Sequence, residues 1–98
     1  MTATFVSLLN WTEQGVKSFR DSPKRADAFG ELAKKYGATV KAQYWTLGEY
    51  DLVLITEAPD PETFTALTLE LASLGNVRTM SLRAFDRGEI EQIIAKTG

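Results

Sequence analysis

Residues 40–61 carry the strongest structural signal in the chain, and they read VKAQYWTLGEYDLVLITEAPDP. They include most of one apolar-rich run, at residues 38–47, and all of a second, at residues 50–58. Gly48 and the glutamate after it separate the two runs. Two runs joined by so short a Gly-containing connection predict an antiparallel hairpin. The next three residues, 59–61, read PDP, which is typical of a helix start with the Asp as N-cap and the second Pro at the first helical position.

A strand and a helix are predicted ahead of this hairpin. Residues 4–11 have the pattern of a strand with apolar side chains on both sides, and residues 12–15 end it with one short helical turn. A helix is predicted from Ser22, as N-cap, to about residue 36, with Gly37 just beyond its end.

Three further elements follow the hairpin. Residues 61–74 predict a helix, residues 77–85 a fourth strand, and Asp86 with Glu89 the capping box of a short C-terminal helix. The order β-α-β-β-α-β predicts an α+β, ferredoxin-like sandwich with a four-stranded antiparallel sheet. With 98 residues, the chain has room for one such domain over residues 1–98.

The composition excludes several function classes. The chain has 11 Lys and Arg against 13 Asp and Glu, a net charge of −2, whereas a nucleic-acid binder is usually basic. It has no Cys and no His, so thiol chemistry, imidazole catalysis, zinc-finger sites and haem ligation by His are not expected. We therefore expect no metal and no cofactor. No signal peptide or apolar run of membrane-spanning length is found, so we expect a cytoplasmic protein without a membrane partner.

Both faces of the predicted sheet are apolar. In the third strand, Leu52 and Leu54 point to one face while Val53 and Ile55 point to the other. In the second strand, one face is expected to carry Val40, Ala42 and Tyr44. Two helices cover only one face of such a sheet, so a second copy of the chain is the expected cover of the other. The sequence therefore predicts a homodimer, with higher oligomers left open.

Aromatic and polar residues near the predicted turn and strand ends are the candidates for binding a small-molecule ligand. They are Asn10, Trp11, Tyr44, Trp45, Thr46, Gly48, Tyr50, Asp51, Arg78 and Arg83. One interpretation places a ligand cleft beside the turn, with the rings as walls and Asp51 as polar anchor. The other is structural: Gly48 serves the turn, Tyr44 packs in the core, Trp45 lies in a subunit interface, and Asp51 accepts backbone hydrogen bonds. The two arginines lie on opposite faces of the fourth strand by parity.

Five motifs resemble the GYD-domain family. They lie at residues 9–12 (LNWT), 21–25 (DSPKR), 44–51 (YWTLGEYD), 58–60 (APD) and 74–79 (LGNVRT). The resemblance covers essentially the whole chain and implies a dimeric α/β barrel, in which two ferredoxin-like protomers pack sheet against sheet. The family consists mainly of uncharacterised prokaryotic proteins, so it implies a fold without a settled activity.

The GEYD turn at residues 48–51 is also similar to the effector-binding domain of Lrp/AsnC-type regulators. No helix-turn-helix precedes the first strand, so we expect no contact with DNA. The function expected is that of a small oligomeric ligand-binding or regulatory protein without catalysis. One alternative, from other members of the superfamily, is a cofactor-free monooxygenase or isomerase acting on an aromatic or polycyclic molecule, with Asp51 as the base. A structural or partner-docking module is the second alternative.

Overall fold

Strand β1 (Ala3–Trp11) lies in the middle of the sheet because it is apolar on both sides and pairs along its length with two neighbours. The computed structural model describes residues 2–98 and places the strands in the order β2-β3-β1-β4, all antiparallel. The other strands are β2 (Thr39–Trp45), β3 (Leu52–Ala58) and β4 (Val77–Ala84). The helices are α1 (Glu13–Lys17), α2 (Ser22–Lys35), α3 (Pro61–Ser73) and α4 (Arg87–Ile94), with a 3-10 turn at Phe19–Asp21. The predicted α+β order and the antiparallel sheet are confirmed.

The core lies between one face of the sheet and helices α2 and α3. Every second side chain of β1 from Ala3 to Leu9 is buried on this face, and the ring of Phe5 stacks on Phe64 of α3 with centroids 4.0 Å apart. Phe29 of α2 and Leu67 of α3 complete the contact, and Leu67 is fully buried. Burying each large apolar side chain is worth about 1.5–3 kcal/mol, so this layer provides most of the stability.

The other face of the sheet carries no helix. We call it the open face, and its apolar side chains are Val6, Leu8, Ala42, Tyr44, Val53, Ile55, Met80 and Leu82. The prediction for β2 was wrong at Val40, which packs against the core. A β-bulge lies between Val40 and Ala42, and the extra residue, Lys41, moves the following side chains to the opposite face.

Two of the three predicted helix starts are confirmed. Asp60 accepts a hydrogen bond from the backbone N–H of Thr63 at 2.7 Å, and that bond holds the pKa of the Asp60 carboxyl below its usual value. Asp86 and Glu89 form the reciprocal capping box. The prediction for Ser22 was wrong by one position, because Ser22 already has helical dihedral angles and Asp21 precedes the helix.

The connection between β2 and β3 is longer than the predicted two-residue turn. The strands end at Trp45 and resume at Leu52. The Thr46 backbone N–H donates to the Asp51 carbonyl at 2.9 Å. The Asp51 backbone N–H donates to the Leu9 carbonyl of β1 at 2.8 Å. Asp51 therefore ties the connection to β1 instead of extending β3.

Helix α4 projects from the rest of the molecule. It forms few contacts with other elements, and its apolar stripe of Ile90, Ile93 and Ile94 is exposed. The radius of gyration is 14.6 Å and the longest extent is 52 Å, compared with a radius of about 13 Å for a compact domain of this size. In the part of the chain that the structure describes, no helix is long and apolar enough to span a membrane.

Two glycines should respond in opposite ways to replacement by alanine. A Cβ on Gly15 would lie 1.9 Å from the backbone oxygen of Asn76, so Gly15→Ala should lower the free energy of unfolding by about 1–3 kcal/mol. A Cβ on Gly30, inside α2, would meet nothing within 4 Å, so Gly30→Ala should raise it by about 0.5–1 kcal/mol. Urea unfolding followed by tryptophan fluorescence measures both, and equal effects of the two changes would contradict this packing.

Candidate functional site

The ten candidate residues do not converge on one cleft. Side chains opposite each other on paired strands share a face, so Asn10 and Arg78 lie together at one end of the open face. Trp11, Trp45 and Arg83 lie on the helix side of the sheet, opposite Val77, Leu52 and Phe5 respectively. The remaining candidates belong to the open face or to the β2–β3 connection. The pattern of strands thus divides the candidates between two surfaces.

The connection residues have geometry that supports the structural interpretation. Gly48 has φ +109°, the positive value that the turn prediction requires of it. The Thr46 hydroxyl donates to the Tyr50 carbonyl at 2.5 Å. The Asp51 carboxylate accepts the backbone N–H of Trp11 at 2.9 Å, so this carboxylate is engaged with the end of β1.

The two candidate tyrosines belong to the open face. The structural interpretation placed Tyr44 in the core, but its register opposite Val53 places it on the open face, with 60% of its surface exposed. The Tyr50 hydroxyl lies 3.8 Å from the sulfur of Met80, which is 53% exposed on the same face. The two tyrosines therefore add aromatic surface at one end of the open face.

A cavity of about 230 Å³ lies between the sheet and helices α2 and α3. Its apolar walls come from β1, β3, β4 and the two helices, and they are formed by Leu9, Leu52, Leu54, Val77, Ala26, Ala28, Phe29, Leu32, Leu71 and Leu74. Four residues with polar groups also line it: Trp11, Ser22, Arg25 and Asn76. Only Trp11 among these four was a candidate from the sequence.

The polar groups of the cavity are mostly donors. The indole N–H of Trp11 is buried and has no acceptor among the described residues. Trp45 donates its own indole N–H to the Ser22 hydroxyl at 2.9 Å. The sequence held one signal for this site: Arg25 stands four residues before Phe29 and seven before Leu32, so a charged residue continues the apolar stripe of α2.

Arg83 lies apart from this cavity, in an open groove of about 390 Å³ between β4 and α3. Its guanidinium group is 4.4 Å from the centroid of the Phe85 ring and 3.3 Å from the Glu89 carboxylate of α4. These contacts hold the base of α4 against the sheet. Within residues 2–98, no group of three or more acidic side chains is placed to hold a metal ion, and the absence of a metal or cofactor stays a prediction.

The comparisons with known proteins agree with the motifs found in the sequence. The sequence model of the GYD domain matches residues 5–94. A protein of Thermus thermophilus, named "Glutamine synthetase and cystathionine beta-lyase binding protein", is 40% identical over 82 residues, covering 83% of this chain and 86% of the relative. The crystal structure of TTHA0845, also from Thermus thermophilus, superposes with a TM-score of 0.54 and 26% identity, covering 86% of this chain and 94% of the other.

Replacement of Asp51 separates the structural interpretation from the ligand-anchor interpretation. Asp51→Asn removes the charge from the bond to the Trp11 N–H, so the free energy of unfolding should fall by about 1 kcal/mol. Tyr50→Phe is the control, because its hydroxyl makes only a long contact to sulfur, and it should change stability little. Thermal unfolding of both variants measures this. An Asp51→Asn protein of unchanged stability would contradict the structural role.

Proposed function

Because this chain belongs to the GYD domain family, we propose that it is a non-catalytic regulatory binding protein, which works as a homodimer and binds another protein. The observation that carries this proposal is the uncovered apolar open face. A relative that is named for the two enzymes it binds supports a binding role in this family.

The open face suits a second copy of the chain. Its centre is apolar, with Leu82 48% exposed beside half-buried Val6 and Ile55. Its polar groups lie at the ends: Lys41 and Glu57 form an ion pair of 3.9 Å at one end. An apolar centre with a polar rim is the usual anatomy of a stable interface, and a two-fold axis would place the same centre on itself.

Helix α4 is the surface that we assign to the partner protein. It extends away from the sheet, is held at its base by its capping box and by Arg83, and exposes its apolar stripe to solvent. An amphipathic helix with an unpaired apolar stripe is a common protein-recognition element. Glutamine synthetase and cystathionine beta-lyase are the first partners to test, because the relative is named for them.

The catalytic alternative has no specific observation in its favour. Asp51, its expected base, accepts a hydrogen bond from the Trp11 backbone and is not among the described residues that line the cavity. The docking alternative agrees with the proposal made here, since both require an exposed apolar surface. A cytoplasmic location stays a prediction.

Light scattering at micromolar concentrations tests the homodimer. The wild-type protein should show the mass of two chains, and Leu82→Glu should dissociate it because the change puts a charge into the centre of the open face. Leu69→Glu is the matched control: Leu69 lies on α3, away from the open face, and is 66% exposed. A wild-type mass of one chain at every concentration would refute the dimer.

Binding to the two enzymes tests the assignment of α4. The immobilised protein should bind glutamine synthetase or cystathionine beta-lyase from its own organism. Ile94→Glu should weaken that binding by about 10-fold or more, because the lost contact is apolar and the added charge must be desolvated. Leu69→Glu again serves as control. Equal binding by the Ile94→Glu variant would remove α4 from the interface, and no binding of either enzyme by the wild type would refute this partner class.

A further inference from the structure

We propose that the cavity between the sheet and helices α2 and α3 binds a small organic carboxylate with an apolar body, such as an arylacetate. This goes beyond the proposed protein-binding function. The cavity lies on the helix side of the sheet, so it does not depend on the open face or on α4. Its volume of about 230 Å³ exceeds the roughly 150 Å³ that suffices for a benzene ring, so a ring with a short substituent fits.

The walls determine the body of the ligand. Ten of the fourteen lining residues are apolar. Among these ten, Leu9, Leu52 and Phe29 are almost fully buried. Such a lining offers dispersion contacts and no polar compensation over most of its area, so the larger part of the ligand is apolar.

The donors determine the ligand's polar group. The Trp11 indole N–H is buried without an acceptor, which costs about as much as a lost hydrogen bond, so a rotation of the ring that brings this N–H to an acceptor in the cavity would be favourable. The Ser22 oxygen accepts from Trp45, and within residues 2–98 no acceptor is found for its own proton. On Asn76, the side-chain oxygen accepts from Gln14 at 3.0 Å, which leaves its amide as a donor. Three donors around one cavity call for an acceptor-rich group.

Arg25 makes that group an anion. Its guanidinium donates to the Ser18 carbonyl at 2.9 Å, the Ser18 hydroxyl at 3.0 Å and the Gly15 carbonyl at 3.1 Å. These three bonds use three of its five N–H groups. Among the described side chains, no carboxylate lies within 4.0 Å of it, so its contacts within the chain are neutral dipoles and the half-buried guanidinium remains able to pair with an anion. A cation lining an apolar cavity together with unused donors favours a carboxylate and disfavours an amine.

Phenylacetate, phenylacetamide and 2-phenylethylamine form a matched set of probes, since they differ mainly in the charge of the polar group. The ¹H–¹⁵N spectrum of the full chain contains two indole N–H signals, from Trp11 and Trp45. Phenylacetate should shift the Trp11 signal saturably and the Trp45 signal less, because Trp45 already has an acceptor. Phenylacetamide should bind more weakly, and the amine should not bind.

Arg25→Gln tests the role of the charge. Affinity for phenylacetate should fall about 10- to 100-fold, the range for a hydrogen bond to a charged group. Affinity for phenylacetamide should change less than about 3-fold, which also shows that the variant is folded. If Arg25→Gln no longer binds phenylacetate more tightly than phenylacetamide, the carboxylate assignment is supported. An unchanged phenylacetate affinity overturns it.

A cavity-filling variant keeps the proposal testable if Arg25→Gln fails to fold. Ala26→Leu adds three carbons to the lining of the cavity without lowering helix propensity much, so phenylacetate binding should be lost. Ala72→Leu, at an exposed position of α3 that does not line the cavity, should bind as the wild type does. Absence of any saturable Trp11 shift in the wild type at millimolar phenylacetate would refute the site.

Discussion

Strand β1 must be covered on both faces at once, and the rest of the structure depends on that constraint. Phe5 and Leu9 are buried under α2 and α3, while Val6 and Leu8 face away from every helix. Because β1 pairs with β3 and β4 along its length, its alternation sets which side chains of those strands lie in the core. Helices α2 and α3 cover one face of β1, and the other face remains apolar and open.

The two surfaces of functional interest approach each other at one end of β1. Asp51 accepts the Trp11 backbone N–H there, and its neighbour Tyr50 reaches Met80 on the open face. Trp11 itself lines the cavity on the helix side. The GEYD turn therefore has a physical role that does not require contact with a ligand: it anchors the strand end whose side chain lines the cavity. The motif is therefore connected to the cavity through the end of β1, although its own residues do not form a cleft.

The candidate site could be predicted only in part. The sequence identified Trp11 as a candidate and assigned Gly48 to the turn, because a strand end and a glycine turn are local patterns. It missed Arg25, Ser22 and Asn76, which lie in three separate segments and meet only when α2 packs on the sheet. Its structural interpretation also misplaced Tyr44, because aromatic residues are assigned to cores by default and the exposure of a face depends on which elements cover it.

Local chemistry was enough for the element order, the antiparallel hairpin, the caps at Asp60 and Asp86, and the two apolar faces of the sheet, since all of these follow from spacing and side-chain type. The bulge at Lys41, the engagement of Ser22 by Trp45 and the cavity did not follow from spacing. A bulge changes the facing of a strand without a strong sequence mark, and a cavity is the volume left when distant side chains fail to fill a layer. Both depend on how the elements fit against one another, which no local pattern encodes.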